Sequence, residues 1–418
     1  MLPPVGSYSL PIVGETLRLA AGPRAWSEVK IQEDTAAGSH ALRTNILARS
    51  AVFLYGREGL SAFYDPLNVK RAGALIGKFR KLVLNDQEAV PTMDGPAHRT
   101  RKAFLLAAHT SEWIDGYLKE SAEFQEKLVD PIKEAAAGAG ALPGHPEDVH
   151  QDSGEAPLPI DFPGITYHAA IVARDALFAT YADQLAKHRA NPDAFKYSAL
   201  SALLAKQQEY ELSDLMILTE LHHFVSTSSG LMAPVITAAI MGLATNPEAL
   251  ERARAEADAH ADLFPSIRMD DIGSQLAFLA WTIKEASREY ATLPIQLGLA
   301  ARDFDVDGYT VPEGTFLVAG LHATNMDPAI WTAPEKFDPS RYERGEGLGD
   351  FDHVSFGGGD MAQTHRCPGG SAAASIITVT LGRLLLEFDF ALEAGQDQMP
   401  KSPTPTNGLP VKVTARRA

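Results

Sequence analysis

Hydrophobic positions along this chain recur at a helical period for most of its length and alternate in only a few short runs. The longest apolar stretch, Leu212 to Ala244, is interrupted only by Pro234, and it predicts a long buried helix that the proline kinks. A polar helix is expected over Pro247 to His260, and helical spacing returns from Asp270 to Tyr290 and from Ser371 to Phe388. Nearer the start, the spacing predicts helix from Val69 to Ala107, broken at Asp94-Gly95-Pro96, and one amphipathic helix over residues 110 to 135. Strand-like alternation is confined to Phe304 to Val311 and Phe316 to Gly320, which read as hairpin strands, and to Val411 to Thr414. The first 60 or so residues mix short apolar runs with turn signals and predict loops, a helix and a few strands. Ala136 to Pro159 is rich in Gly, Ala, Pro and acids; it reads as a surface insertion, because the helices on either side need neighbours to bury their apolar faces. The expected fold is mainly α with a minor β part, one helical body spanning 1–418.

Composition narrows this picture without naming a chemistry. At 418 residues, 45% hydrophobic and 22% charged, the chain is an ordinary globular one, long enough for a large core. A net charge of −16 argues against nucleic acid or an anionic membrane as partner. The opening Met-Leu-Pro-Pro-Val-Gly-Ser is too polar to span a bilayer and no apolar run is expected to reach about 18 residues. One cysteine excludes an internal disulfide, and with no signal-peptide pattern a soluble, cytoplasmic protein is expected.

That cysteine, Cys367, lies in Phe356-Gly-Gly-Gly-Asp-Met-Ala-Gln-Thr-His-Arg-Cys-Pro-Gly-Gly370. An isolated cysteine is most often a small buried hydrophobe. Here the neighbours favour a heme ligand. The glycines, Gly369 among them, let backbone run close against a flat cofactor, and His365 is placed to reach a propionate. The following helix would turn its N-terminus to the sulfur, and with Arg366 nearby that favours thiolate over thiol.

Glu285 and Arg288 lie three apart on one helix, which in isolation means a surface ion pair. Phe337-Asp-Pro-Ser-Arg341 adds a second arginine after a proline-rich bend, so a buried glutamate bridging two arginines would lock that bend against the helix. Together with the cysteine loop these residues resemble the cytochrome P450 superfamily. Glu285 and Arg288 match its Glu-x-x-Arg pair, Arg341 the third member of that triad, and Thr324-Asn325-Met-Asp-Pro328 with Trp331 and Pro334 the meander between them. The resemblance covers roughly the C-terminal third. It implies the P450 fold, a large helical domain and a small β-rich region with heme b between a long distal helix and the cysteine loop. Cys367 is then the axial ligand.

The loop is longer than in the common form of that family, since Phe356 precedes Cys367 by eleven residues. The added residues and the His-Arg-Cys-Pro-Gly ending resemble the bacterial fatty-acid peroxygenase branch, which uses hydrogen peroxide directly. Phe63-Tyr64-Asp65, Lys70-Arg71 and Met93-Asp94-Gly95-Pro96-Ala97-His98 through Lys102 fit that branch as well. On this resemblance Arg71, His98 and Lys102 contact the heme propionates or its face, since buried carboxylates need cationic partners. Gly298 stands where ordinary members carry a propionate-binding arginine.

The distal side departs from both patterns. Where oxygen-activating members place an acid and a threonine, and the peroxygenase branch an arginine and a proline, the count falls near Gly230 and Leu231. Ser226-Thr227-Ser228-Ser229-Gly230 offers hydroxyls and no positive charge, and no arginine occurs between Arg189 and Arg252. Ser228, Ser229, Gly230 and Leu231 are therefore the expected distal residues, with the Thr92-Met93 neighbourhood opposite. Pro91 stands where the branch tends to carry glutamine or histidine. Moving a proton between peroxide oxygens needs a donor. Three sources stay open: a substrate carboxylate or hydroxyl, His222, His223 or Ser228 acting through water, or a substrate that is itself a peroxide.

The leading expectation is a heme-thiolate enzyme inserting oxygen into a small apolar or amphipathic molecule with peroxide. A monooxygenase fed by a ferredoxin-type electron donor, and a non-catalytic heme carrier or sensor, are the alternatives.

Overall fold

A computed structural model describes residues 1–3, 15–37, 39–46, 49–75, 80–81, 84–120, 166–393 and 411–416. In chain order the helices are α1 (Thr16–Ala21), α2 (Pro23–Ala37), α3 (Gly56–Tyr64), α4 (Gly95–Ala108), α5 (Thr166–Ala190), α6 (Ala199–Gln207), α7 (Asp214–Thr245), α8 (Pro247–Ala259), α9 (Met269–Gln275), α10 (Ala277–Glu289), α11 (Leu321–Asn325) and α12 (Gly370–Glu387). The strands are β1 (Ala41–Ile46), β2 (Arg49–Leu54), β3 (Val69–Lys70), β4 (Ile295–Ala300), β5 (Phe304–Val306), β6 (Tyr309–Val311), β7 (Phe316–Gly320), β8 (Phe388–Leu392) and β9 (Val411–Ala415).

The largest core is helical. α7 packs on α6, α10 and α12, and α8 closes the bundle against α10 and α12. Buried Leu243, Leu279, Leu381 and Leu385 meet at its centre. Local chemistry sets the helix ends. The hydroxyl of Ser213 accepts from Met216 N at 3.3 Å to start α7. Asn246 ends it and caps α8 through Ala249 N at 3.2 Å, with Pro247 as first helical residue. α7 continues through Pro234. α7 and α12 are long and apolar enough to cross a membrane by length and composition, which corrects the expectation that no apolar run reaches that length. Packing within the helical bundle covers over half of the apolar window of α12 but only 29% of that of α7.

A five-stranded sheet, order β1-β2-β7-β4-β3, forms the smaller layer. β7 runs parallel to β2 and antiparallel to β4, so Phe316–Gly320 is central in this sheet; only Phe304–Val306 and Tyr309–Val311 form the predicted hairpin. Val69 and Lys70 are also strand rather than helix, pairing with Ala300 and Leu299. Beyond them, Asp94 accepts from Arg71 N and Ala72 N at 2.8 Å each. The predicted helix over Asp270 to Tyr290 is two helices broken at Leu276. Residues 111–120 are helical, whereas 121–135 and the expected insertion at 136–159 lie outside the described residues.

One buried carboxylate joins the helical layer to the irregular chain ahead of the cysteine. Glu285 accepts from Arg288 Nε and Nη2 at 2.9 and 2.8 Å, Arg341 Nε at 3.0 Å, Asp338 N at 3.0 Å and the Tyr342 hydroxyl at 3.2 Å. Glu285 and Arg288 have no exposed side-chain surface and Arg341 almost none. Both arginines stack near Trp331 and donate to carbonyls of the bend, Pro334 to Arg288 and Thr332 to Arg341. Removing the negative partner strands two buried cations. Glu285→Gln is expected to cost about 3–5 kcal/mol in urea unfolding; a loss below about 1 kcal/mol would contradict this account.

Candidate active site

The segment from Asn325 to Cys367 is fixed by side chains that replace regular structure. Asn325 Oδ1 accepts from Val354 N at 3.0 Å, and its amide donates to Ser355 Oγ at 2.9 Å. Ser355 in turn donates to Ser287 O at 2.6 Å, tying the loop to α10. Phe356 O then receives Cys367 N at 2.8 Å, closing the glycine-rich loop back on itself. Gly357 has φ +81°, and a Cβ there would meet Tyr64 Oη at 3.0 Å and Arg366 Cα at 3.1 Å. Both the left-handed backbone and the close approach require glycine.

Cys367 carries accessible surface, yet the protein around it takes water away and pushes its thiol pKa up. The N–H groups of Gly369 and Gly370 and the Lys102 charge oppose that rise. They are the start of α12 and a buried cation, the two features that favour a thiolate. A Cβ at Gly369 would meet no atom within 4 Å, and the same holds for Gly230 on α7. Around Gly230, α7 is open: no residue with a described side chain from His223 to Pro234 is buried, although 217–222 and 238–243 are. The helix and the cysteine loop thus both present uncovered surface. Ser228 is partly buried within this stretch, and Leu231 likewise.

The other predicted residues gather at one edge. His98 and His365 stack with ring centroids 4.0 Å apart, and His365 Nε2 lies 3.8 Å from Asp94. His98 Nε2 is buried and has no hydrogen-bond partner. Burial, followed by the His365 charge, pushes its pKa down to about 3. Arg71 sits with its guanidinium 4.1 Å from the Phe63 ring centroid and donates to Leu297 O at 2.7 Å and Gln296 Oε1 at 3.1 Å. Its pKa falls to about 10 through burial, while Tyr64, hydrogen-bonded to the same Gln296, rises to about 12. These groups fit an anionic cofactor edge, since His98 presents a buried nitrogen that nothing in the protein satisfies.

Lys102 belongs elsewhere. Its ammonium donates to Thr364 O at 2.8 Å and to Arg366 O, the carbonyls flanking His365. Burial lowers its pKa to about 8. It therefore braces the cysteine loop. Gly298 cannot be replaced by a longer side chain without displacement, because a Cβ there would meet Val69 Cγ1 at 2.6 Å.

Three residues with no sequence-based role join this arrangement. Gln296 links Tyr64 and Arg71, and Arg101 donates to Glu220 on α7 at 2.7 Å. Glu220 also accepts from Val90 N at 3.1 Å, which holds the turn Val90–Thr92 against α7. His222 faces Phe178 and Tyr181 at 5.0 and 5.9 Å, whereas His223 Nδ1 lies 3.6 Å from Glu220 Oε2.

This geometry agrees with the chain's likeness to known proteins. Cytochrome P450 SP alpha, solved with (R)-ibuprofen, superposes with a TM-score of 0.70 at 22% identity, covering 96% of this chain and 98% of that one. Cytochrome P450 EX alpha, solved with myristic acid, gives 0.70 at 20% identity over the whole of both chains. These likenesses establish the fold. Among curated relatives, cytochrome P450 CYP82J17 of Trigonella foenum-graecum is 33% identical over 183 residues, 42% of this chain and 34% of that one. A family 716 subfamily AD P450 of Citrus sinensis is 27% identical over 269 residues, 61% of this chain and 54% of that one. The chain spans about a third to just over half the length of these two relatives. The Cytochrome P450 family model matches residues 149–414, more than half of the chain and the part that carries the Glu285 cluster and the cysteine loop. The chain belongs to the cytochrome P450 family, whose members are heme enzymes with a cysteine thiolate ligand.

Proposed function

We propose that this chain, as one domain, is a heme b oxidoreductase that inserts oxygen into a small apolar or amphipathic molecule at the expense of a peroxide. The observation that carries the reading is the setting of Cys367: a desolvated sulfur at the start of α12, in a loop braced by Lys102, whose His365 packs on His98 with its unpartnered nitrogen. When bound, the heme supplies the oxygen-transfer chemistry, and the residues of the chain set its surroundings.

Cys367 ligates the iron and donates electron density to it. Gly369 keeps the loop low enough for a porphyrin to lie against it. His98 Nε2 receives a propionate, with His365 stacked behind it and Arg71 adding positive charge at the same edge. Lys102 is a positioning residue for the loop. Gly230 and Leu231, with Ser228, line the opposite side; the side chain of Ser229 lies outside those described.

Peroxide as oxidant is supported by one thing the long helix lacks: no acid–threonine pair stands at Gly230–Leu231 to protonate bound oxygen. The arginine of the peroxygenase branch is missing from α7 as well, so the proton for a peroxide has to come from another group or from the substrate. A second reading, a biosynthetic monooxygenase fed by a ferredoxin-type donor, is favoured by the 31% identity over 196 residues to melianol synthase CYP71BQ5 of Azadirachta indica. Turnover with peroxide alone separates the two.

Cys367→Ser is expected to abolish the red-shifted Soret band of the reduced carbon-monoxide complex; an unchanged band sinks the thiolate assignment. Wild-type protein should oxidise an apolar probe with hydrogen peroxide and no reductase, and strict dependence on a reductase favours the second reading.

His98 gives a pH test of the propionate contact. Its folded pKa of about 3 lies below the unfolded 6.5, so the unfolded chain binds the extra proton in between. Stability of the heme-free protein should therefore fall as pH drops from about 6.5 towards 3, by up to ~1.4 kcal/mol per pH unit for this group. His98→Gln removes that share. A propionate beside Nε2 raises the folded pKa, so heme loading should flatten the wild-type slope towards that of the variant. Equal slopes with and without heme would refute the contact.

A further inference from the structure

The open face of α7 carries acceptors and no cation. His223, Thr227, Gly230 and Pro234 follow at intervals of four, three and four, and so share one face. The Thr227 hydroxyl donates to His223 O at 2.7 Å and lies 3.2 Å from Phe224 O, which commits its proton to the helix and turns lone pairs outward. Pro234 has no N–H to give the Gly230 carbonyl four residues back.

His223 completes the set. Glu220 has no exposed side-chain surface; its Oε1 is filled by Arg101 and Val90 N, and its Oε2 is buried with no hydrogen bond. His223 Nδ1, 3.6 Å away, faces that oxygen. The pair is in ion-pair range but short of a hydrogen bond, and a ring that turns an Nδ1–H towards the carboxylate lone pairs leaves Nε2 as an acceptor. The Arg101 guanidinium faces the Glu220 carboxylate at 2.7 Å.

We propose that this face recognises the hydroxyl of an amphipathic alcohol, with His223 Nε2 as the accepting atom and Glu220 as its positioning residue. A carboxylate would set lone pairs against lone pairs here. His223 lies seven residues before Gly230, about 10 Å along the axis. The hydroxyl is therefore held away from Gly230, and oxidation falls on a remote carbon. This rests on the reading that α7 faces a heme.

The test titrates heme-loaded protein with 1-dodecanol and with dodecanoate, reading the heme absorption shift and, in parallel, calorimetry. Dodecanol is expected to bind about tenfold more tightly than dodecanoate. His223→Phe should remove that preference while leaving dodecanoate within about twofold, and His223→Gln, which keeps an acceptor, should retain more of it. The proposal is overturned if wild type prefers dodecanoate, binds neither ligand, or binds both equally. It is also overturned if His223→Phe weakens both ligands alike. The reduced carbon-monoxide spectrum separates the two levels of inference. A red-shifted band without alcohol preference removes the hydroxyl site alone, whereas a missing band in wild type removes the heme-thiolate reading with it.

Discussion

Glu285 is the charge on which the placement of the cysteine depends. Five hydrogen bonds converge on its two oxygens, and from it a continuous path leads to the loop. Arg288 Nη1 donates to Asn325 O at 2.8 Å, the Asn325 side chain holds Val354 and Ser355, and the next residue, Phe356, receives Cys367 N. Side chains take part in every one of these links except the last, which is how a long stretch without regular structure is given one conformation. A buried ion pair of this kind adds little net stability over an apolar core, because desolvation offsets attraction. What it supplies is geometry, and a thiolate ligand needs a fixed position more than it needs extra stability.

The proximal half was largely legible in the sequence. Glu285 and Arg288 are three apart on a helix, so their pairing follows from the helical period, and the lone cysteine among glycines has few other roles. The misreadings have a common cause in contacts that sequence periodicity does not see. Val69 and Lys70 carry a helical pattern but pair with β4, and Asp94 claims the backbone N–H groups that follow. β4 itself, Ile-Gln-Leu-Gly-Leu-Ala, goes unread because a glycine breaks its alternation and its strand state comes from β7 and β3. Lys102 looks like any helix lysine, and nothing in the sequence says that two carbonyls 262 and 264 residues away fold onto it. The Arg101–Glu220 pair, 119 residues apart, is hidden in the same way.

The groups proposed to hold the heme, and the lysine that braces the loop, share one electrostatic problem. Each is removed from water, and burial shifts each against its charged form: the Cys367 thiol up, and Arg71, Lys102 and His98 down. A porphyrin with an iron and two carboxylates brings the opposite charges to this set. The cluster is therefore better balanced with that cofactor than without it, which is the expected signature of a binding site rather than of a core.

Arg101 and Lys102 are neighbours on α4, both buried, and they reach in different directions. One grips the long helix through Glu220; the other grips the carbonyls on either side of His365. α4 thus works as a crossbar between α7 and the cysteine loop. Adjacent residues on a helix cannot shift independently, so a tilt of this bar at the Glu220 end is felt by the strap that carries the sulfur.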